Sequence, residues 1–390
     1  MPVNDLTFNQ LSTVLNSIVQ QATGTAQMTP TNTSEFISVA QTALKTGYDP
    51  VLNAISQVLS RTIFSIRPYN RKFGGIQVSN QRFGNITRKL NISDNDWKDD
   101  NRIPLANGTS IDQYTINAPN ILQTNFYGAN VYQKSLTIYR DQLDCAFSSP
   151  DEFASFVSMC MNNASNMIEQ AHESLARSTI GNFIGGKILG DTGNIVHLLT
   201  EYNTLTGLAL DATTVYEPAN FDAFIKWVYS RVAQIASLMT ERTTKYHINV
   251  TGKEIARHTP YDRQKVYLYG PAQHQINARV LADTYHDNYL RFAETETVNF
   301  WQSIDTPDSI NLTPIYLLPT GALTSPSEAL EQANIFGVIF DDEALGYTVV
   351  NQWSAPTPFN ASGGYSNIFW HFTDRYWNDF TENGVVLLLD

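Results

Sequence analysis

The stretch that decides the fold runs from Ser149 to Gly186: SPDEFASFVSMCMNNASNMIEQAHESLARSTIGNFIGG. Ser149 is placed to cap a helix, Pro150 takes the first helical position and Glu152 completes a capping box. Apolar residues then recur at helical spacing: Phe153, Phe156, Val157, Cys160, Met161, Ala164, Met167, Ile168, Ala171 and Leu175. The period predicts a core-facing stripe held for about six turns, on a helix that reaches about 45–50 Å with the turns that follow. Gly185-Gly186 reads as its stop, so Gly181–Gly186 is a helix end and not a nucleotide loop, which would need a strand before it.

The residues before this helix have another character. From about Ile63 the helical period vanishes, and Asn, Gln, Thr, Gly and β-branched residues take over. Ile76-Gln77-Val78 and Ser135-Leu136-Thr137-Ile138-Tyr139 alternate like half-exposed strands. Gly74-Gly75, Asn107-Gly108 and Gly128 are turn signals. The region has too few apolar residues for a compact core, which predicts an extended β-hairpin that buries its sides against neighbours. Its charge is segregated. Arg61, Arg67, Arg71, Lys72, Arg82, Arg88 and Lys89 follow one another with no acid between them. Asp94, Asp96, Asp99 and Asp100 then crowd around Trp97. Three readings stay open: two solvated faces, a basic arm and an acidic tip that pair with neighbouring subunits, or a nucleic-acid arm in which Phe64, Tyr69, Phe73 and Phe83 stack on bases.

Outward from there, the N-terminal segment is helical in pattern. Leu6, Leu11, Leu15, Ile18 and Val19 form one apolar face, and Phe36, Val39, Ala40 and Leu44 a second. Asp49-Pro50 starts a third helix, with Val51, Leu52, Ile55, Val58 and Leu59 inward. Beyond the long helix, Asn220 reads as the cap of a helix with Phe224, Ile225, Val228, Val232, Ile235 and Leu238 facing inward. Val266–Tyr269 and Ile315–Leu318 read as strands, the first followed by a helix through Ile276, Val280 and Leu281. The C-terminal segment is β-rich: Val338–Phe340, Tyr347–Val350, Ile368–Trp377 and Val385–Leu389, with a turn at Pro356–Gly364. The class is therefore α+β.

Composition narrows the function. The 390 residues are 42% hydrophobic and 12% aromatic but only 16% charged, against roughly one quarter in a typical domain. Interfaces are depleted in charge and enriched in aromatics, so the balance suits a subunit with large contacts; it also suits a secreted, carbohydrate-active protein. A net charge of −12 makes a poor general nucleic-acid binder. Cys145 and Cys160 have no metal-site spacing and read as buried small apolar residues. The N-terminus lacks the basic and apolar regions of a signal peptide, and no run of 18 apolar residues predicts a membrane span.

Catalytic chemistry is not legible. His172, His197, His247, His258, His274, His286 and His371 are scattered, with no HExxH, GxSxG or phosphate-loop pattern. His172, beside Glu169 and Glu173, reads as a surface or interface residue. Asp341-Asp342-Glu343 has the chemistry for a divalent ion or a carboxylate pair, although a solvated strand end or a salt bridge is the simpler reading. No catalytic residue, metal site or cofactor is expected.

The order of elements resembles the major capsid proteins of tailed bacteriophages, the Hong Kong 97-type fold. The resemblance is carried best by Phe336-Gly337-Val338-Ile339-Phe340-Asp341-Asp342, then Gly346-Tyr347-Thr348-Val349, Trp370-His371-Phe372-Thr373-Asp374-Arg375-Tyr376 and Gly384-Val385-Val386-Leu387-Leu388. It implies an N-terminal arm over 1–62, an E-loop over 63–147 and the spine helix of a P-domain over 148–190. An A-domain over 191–340 and C-terminal strands returning through the P-domain over 341–390 complete the layout. It implies a structural protein, not an enzyme, that self-assembles into hexamers and pentamers of an icosahedral or prolate head around phage DNA. Its place is the virion, after assembly in the host bacterial cytoplasm. The short chain is similar to small podovirus capsid proteins, which implies a separate scaffolding protein, a portal, and decoration or head-fibre proteins as partners, with DNA held without sequence-specific contacts. An encapsulin-like compartment would use the same fold. On this resemblance Arg71, Lys72, Arg82, Arg88, Lys89, Asp94, Asp96, Trp97, Asp99 and Asp100 are candidate inter-subunit contacts. The stripe Phe153, Phe156, Val157, Cys160, Ala164, Met167, Ile168 and Leu175 is the core face of the spine helix.

Overall fold

The computed structural model describes residues 8–24, 30–45, 50–51, 72–78, 86–93, 107–108, 110, 114, 116, 118–271, 274 and 294–390. In chain order, the helices are α1 (Phe8–Thr23), α2 (Thr33–Lys45), α3 (Arg140–Ala146), α4 (Pro150–Gly190), α5 (Leu198–Thr206) and α6 (Pro218–Met239). The strands are β1 (Ile86–Ser93), β2 (Asn120–Tyr127), β3 (Asn130–Tyr139), β4 (Ile195–His197), β5 (Gln264–Tyr269), β6 (Glu294–Val298) and β7 (Ile310–Leu312). They continue with β8 (Tyr316–Leu317), β9 (Leu323–Thr324), β10 (Leu330–Gln332), β11 (Ile335–Asp341), β12 (Leu345–Pro356), β13 (Tyr365–Asn378) and β14 (Gly384–Leu388). The chain divides into two units, each assembled from separate stretches of sequence: 1–84, 128–175 and 348–375 in the first, 85–127, 176–347 and 376–390 in the second.

In the first unit, α1, α2, α3 and the first part of α4 share one core with a three-stranded sheet in the order β12-β13-β3. β13 pairs antiparallel with β3, Ile368 opposite Leu136 and Phe372 opposite Tyr132. Alternate residues of β13, Ile368, Trp370 and Phe372, point into the core, as a half-buried strand requires. Leu11, Leu15, Ile18 and Val19 of α1 and Phe36 and Ala40 of α2 close it, with Val39 packed against them; Leu6 and the side chain of Leu44 lie outside the described residues. Phe153, Phe156 and Cys160 of α4 are buried here, with Met167 and Ile168 packed against them. Phe153 meets Phe36 edge-on and stacks on Phe147. The helix starts as expected, the Glu152 N–H donating to Ser149 Oγ at 3.2 Å. The side chains of Val157, Met161 and Ala164 lie outside the described residues.

The second unit is built on a five-stranded mixed sheet in the order β4-β14-β11-β5-β6. β11 is its axis, antiparallel to both β14 and β5, while β4 and β6 are added parallel at the edges. Every residue of β11 is buried, so its apolar run does not alternate with polar residues. One core of this sheet, Val266, Leu268, Ile339, Val385 and Leu387, packs on Phe224, Ile225, Val228, Val232 and Ile235 of α6. Phe340 meets Tyr267 edge-on and lies against Phe183 of α4, which in turn stacks on Phe380 at 5.6 Å.

Several expectations are corrected. The long helix does not stop at Gly185-Gly186 but continues to Gly190. Its glycines are packing positions: a β-carbon at Gly185 would sit 3.1 Å from Pro314 Cγ, and one at Gly190 2.9 Å from Tyr316 Cδ2. Burial of Ile180, Phe183, Ile184 and Lys187 between them outweighs the roughly 1 kcal/mol per residue that glycine costs a helix. α6 starts at Pro218 after Glu217, and Asn220 lies inside it, its side-chain amide donating to the Thr214 carbonyl; Leu238, expected inward, is exposed, because at the end of the helix it is Met239 that faces the core. Ile76 closes a 3-10 turn, Gly74–Ile76, not a strand. Cys145 is exposed, whereas Cys160 is buried and its thiol is pushed up to about 12. His172 is buried, its Nε2 3.7 Å from Asp374 Oδ2, because the helix face that carries it packs inward within the first unit. Helix α5, ended by Gly207 in the left-handed region, was not anticipated. Of the third N-terminal helix, residues 50–51 are helical and Val51 is buried; Leu52, Ile55, Val58 and Leu59, like Ile276, Val280 and Leu281, lie outside the described residues.

Candidate subunit-contact hairpin and its ionic anchor

β1 and β2 form a two-stranded antiparallel sheet of their own within the second unit. The register sets Arg88 opposite Asn125, Leu90 opposite Gln123 and Ile92 opposite Ile121. Directly opposed residues share a face, so the ribbon has two distinct sides. The outward side carries Arg88, Leu90, Ile92, Ile121, Gln123, Asn125 and Tyr127, all exposed; Leu90 is 58% and Ile92 61% accessible. The inward side carries Lys89, Asn91, Leu122, Thr124 and Phe126, each partly covered. Phe126 lies against the ring of Trp377, and Trp377 fills the space over Gly346.

Lys89 enters a dense ionic cluster. Its Nζ lies 3.0 Å from Asp379 Oδ2, 3.2 Å from Glu343 Oε2 and 2.5 Å from Glu382 Oε1. Burial pushes the Lys89 ammonium down, but Asp379 and Glu382 outweigh it and hold the group above the ordinary lysine range. Arg257 Nη1 reaches Glu382 Oε1 at 2.5 Å, and its Nη2 donates to Thr381 Oγ1. Arg263 binds Asp342 at 2.8 Å and Glu343 at 2.5 Å. Asp341 sits below this layer, accepting from the Thr259 hydroxyl and from the Glu343 N–H. Burial pushes its carboxyl up to about 6. Burial likewise raises Glu382 against the pull of Lys89 and Arg257. Beneath them Lys187 is wholly buried, donating to Asp191 Oδ2 at 2.9 Å and to the Tyr246 carbonyl at 3.1 Å. Burial lowers its pKa.

The carboxylates of Asp342 and Glu343 are thus ion-paired inside the chain and that of Asp341 is hydrogen-bonded, and among the described residues no group has the makings of a metal site. Of the candidate contact residues, Arg88 is on the exposed side of the ribbon and Lys89 on the anchored side. Lys72 is exposed in a turn of the first unit, next to buried Phe73. Arg71, Arg82, Asp94, Asp96, Trp97, Asp99 and Asp100 lie outside the described residues. The partners of Lys89 were not legible: Asp379-Phe380-Thr381-Glu382-Asn383 reads as an ordinary polar turn between strands. The outward apolar set did leave a signal, the alternation Arg88-Lys89-Leu90-Asn91-Ile92.

The Phi29-like phage major capsid protein model matches residues 12–388. The chain belongs to that family. Its function is to form the capsid shell, and its place is the virion. Solved structures share the fold. A chain in the capsid structure of Staphylococcus phage Andhra is 11% identical with a TM-score of 0.56, over 85% of this chain and 87% of that one. A chain in the structure of the head fibre and inner core protein of native bacteriophage P68 is 10% identical with a TM-score of 0.57, over the same 85% and 87%. No curated protein matches the chain. The family is a structural one, and neither the compartment shell nor the carbohydrate-active protein finds support. Among the described residues no helix of this capsid protein is long and apolar enough to cross a membrane.

Proposed function

We propose that this capsid subunit assembles into hexamers and pentamers through its β1–β2 ribbon, which lays its outward side on a neighbouring copy. The observation that carries this is the exposure of Leu90, Ile92, Ile121 and Tyr127 on one side of a sheet that has two strands among the described residues. A lone two-stranded ribbon is marginal in water, and covering apolar side chains contributes about 1.5–3 kcal/mol each. The ribbon acts as the E-loop, α1 and α2 as the N-terminal arm, α4 as the spine of the P-domain, and the five-stranded unit as the A-domain. Assembly in the host cytoplasm around a separate scaffolding protein and a portal follows from this role, as do decoration or head-fibre proteins on the finished head. The net charge of −12 suits a wall that encloses DNA without gripping it.

The test is negative-stain microscopy of the recombinant chain, alone and with a candidate scaffold, beside the double variant Leu90→Asp, Ile92→Asp. Wild type is expected to give closed shells or capsomer rings. The variant is expected to keep its circular dichroism and melting profile but to stay unassembled. Normal shells from the variant would refute the ribbon's role.

A further inference from the structure

We propose that Lys89 is a latch: it docks the β1–β2 ribbon onto its own subunit, and the ribbon can be released as a unit while the rest of the subunit stays folded. This rests on geometry inside the second unit, and only its use in the shell rests on the function proposed above.

Each carboxylate that Lys89 touches keeps another partner when Lys89 leaves. Glu382 retains Arg257 at 2.5 Å. Glu343 retains Arg263 at 2.5 Å. Asp379 retains the Thr381 N–H at 3.0 Å and the Thr381 hydroxyl at 2.6 Å on Oδ1, while its buried Oδ2, 3.0 Å from Lys89, loses its ion pair. Asp341, Asp342 and Lys187, the other charged groups of the cluster, are held by Thr259, Arg263 and Asp191. Removing one member of a buried ion pair is costly when a charge is stranded. Here Glu343 and Glu382 stay paired with arginines and the charge cost falls on Asp379 alone, so Lys89 holds the ribbon through one buried carboxylate while the rest of the body's network stays closed.

The ribbon is equally self-contained. Its backbone ladder runs through every residue pair from Ile86–Tyr127 to Ser93–Asn120. Also on its inward side, Phe126 meets Trp377 as a tilted ring pair at 6.3 Å between centroids. Once released, the ribbon is a two-stranded sheet in water, which is only marginally stable. It therefore orders again only where another surface receives it. Such an element has two states, docked on its own subunit or carried by a neighbour, and one shell protein needs that freedom to make the same contact at more than one angle.

Hydrogen exchange on the full-length, unassembled chain tests the latch. Lys89→Met keeps the aliphatic stem and removes the charge. It is expected to speed exchange of residues 86–93 and 120–127 by about tenfold or more, while 335–341 and 384–388 in the central sheet exchange as in wild type. Lys89→Arg is expected to restore protection. Unchanged exchange in the ribbon would overturn the latch, and so would equal acceleration of the central strands, because Lys89 would then be holding the whole unit together. The same measurement on assembled shells separates the two proposals. A latch-free ribbon that regains protection in the shell is being received by a neighbour. One that stays unprotected there refutes the neighbour contact and leaves the latch result standing.

Discussion

Asp341 shows how one buried carboxylate sets a pH dependence. It stands at the end of the central strand, with Arg263 no closer than 3.8 Å, so burial prevails and its pKa rises from 3.8 to about 6. A raised folded-state pKa means that its contribution to stability is fully present below the unfolded value and is lost as pH rises through about 6. Two units correspond to on the order of 3 kcal/mol. Asp341→Asn cannot ionise and still offers an acceptor to Thr259. The variant is therefore expected to gain stability over wild type on passing from about pH 4 to about pH 7.5, read as the difference in denaturant midpoints at the two pH values. A difference that does not change with pH would show that Asp341 is already ionised in the folded chain. The same scale separates Arg88 from Lys89. The two are neighbours in sequence and alike in charge, yet one faces solvent and the other sits among three carboxylates.

At the scale of elements, α4 is held by two different devices. Its first part presents large side chains, Phe153 and Phe156, to a core of other helices and a sheet. Its last turns present glycines, so that Leu312, Pro314, Tyr316 and Phe380 can approach the helix backbone. Helix propensity alone would favour Gly186→Ala by about 1 kcal/mol. A β-carbon there would collide with the Phe380 ring, and overpacking costs about 1–3 kcal/mol. Gly186→Ala is therefore expected to lower the melting temperature by several degrees, whereas Gly193→Ala, with nothing within 4 Å, is expected to be neutral or slightly stabilising. Equal melting temperatures for the two variants would mean that the Phe380 ring moves aside without cost. The ribbon is the opposite case, an element whose ladder is complete but whose outer side has no cover within the described chain.

For the whole molecule, the relevant quantities are charge and apolar exposure. A subunit with 25 basic and 37 acidic residues repels phosphate on average. Purified subunits are expected to give no shift of duplex DNA in an electrophoretic assay at physiological salt. A shift that weakens steeply with added salt would instead identify the basic run from Arg61 to Lys89 as a nucleic-acid arm. Exposed apolar side chains on the ribbon and elsewhere, in a chain with few charged residues, suit a repeating assembly, because one weak contact is multiplied over every copy.

Periodicity determined much of this by itself. The stripe from Phe153 to Ile168, the alternation of β13 and the apolar run of β11 each follow from what one element must bury, and local spacing records that directly. The polar turn Asp379–Asn383 is unremarked in the sequence, as are Arg257 and Arg263, and Asp341–Glu343 stands out there only as a run of carboxylates. Only the tertiary structure decided that they converge on Lys89, and that the glycines of α4 mark close packing and not a helix end. The physical reason is range. Burial leaves a pattern within one segment, whereas an ion pair or a close backbone approach joins residues far apart in the chain, and neither partner's neighbours in sequence record the other.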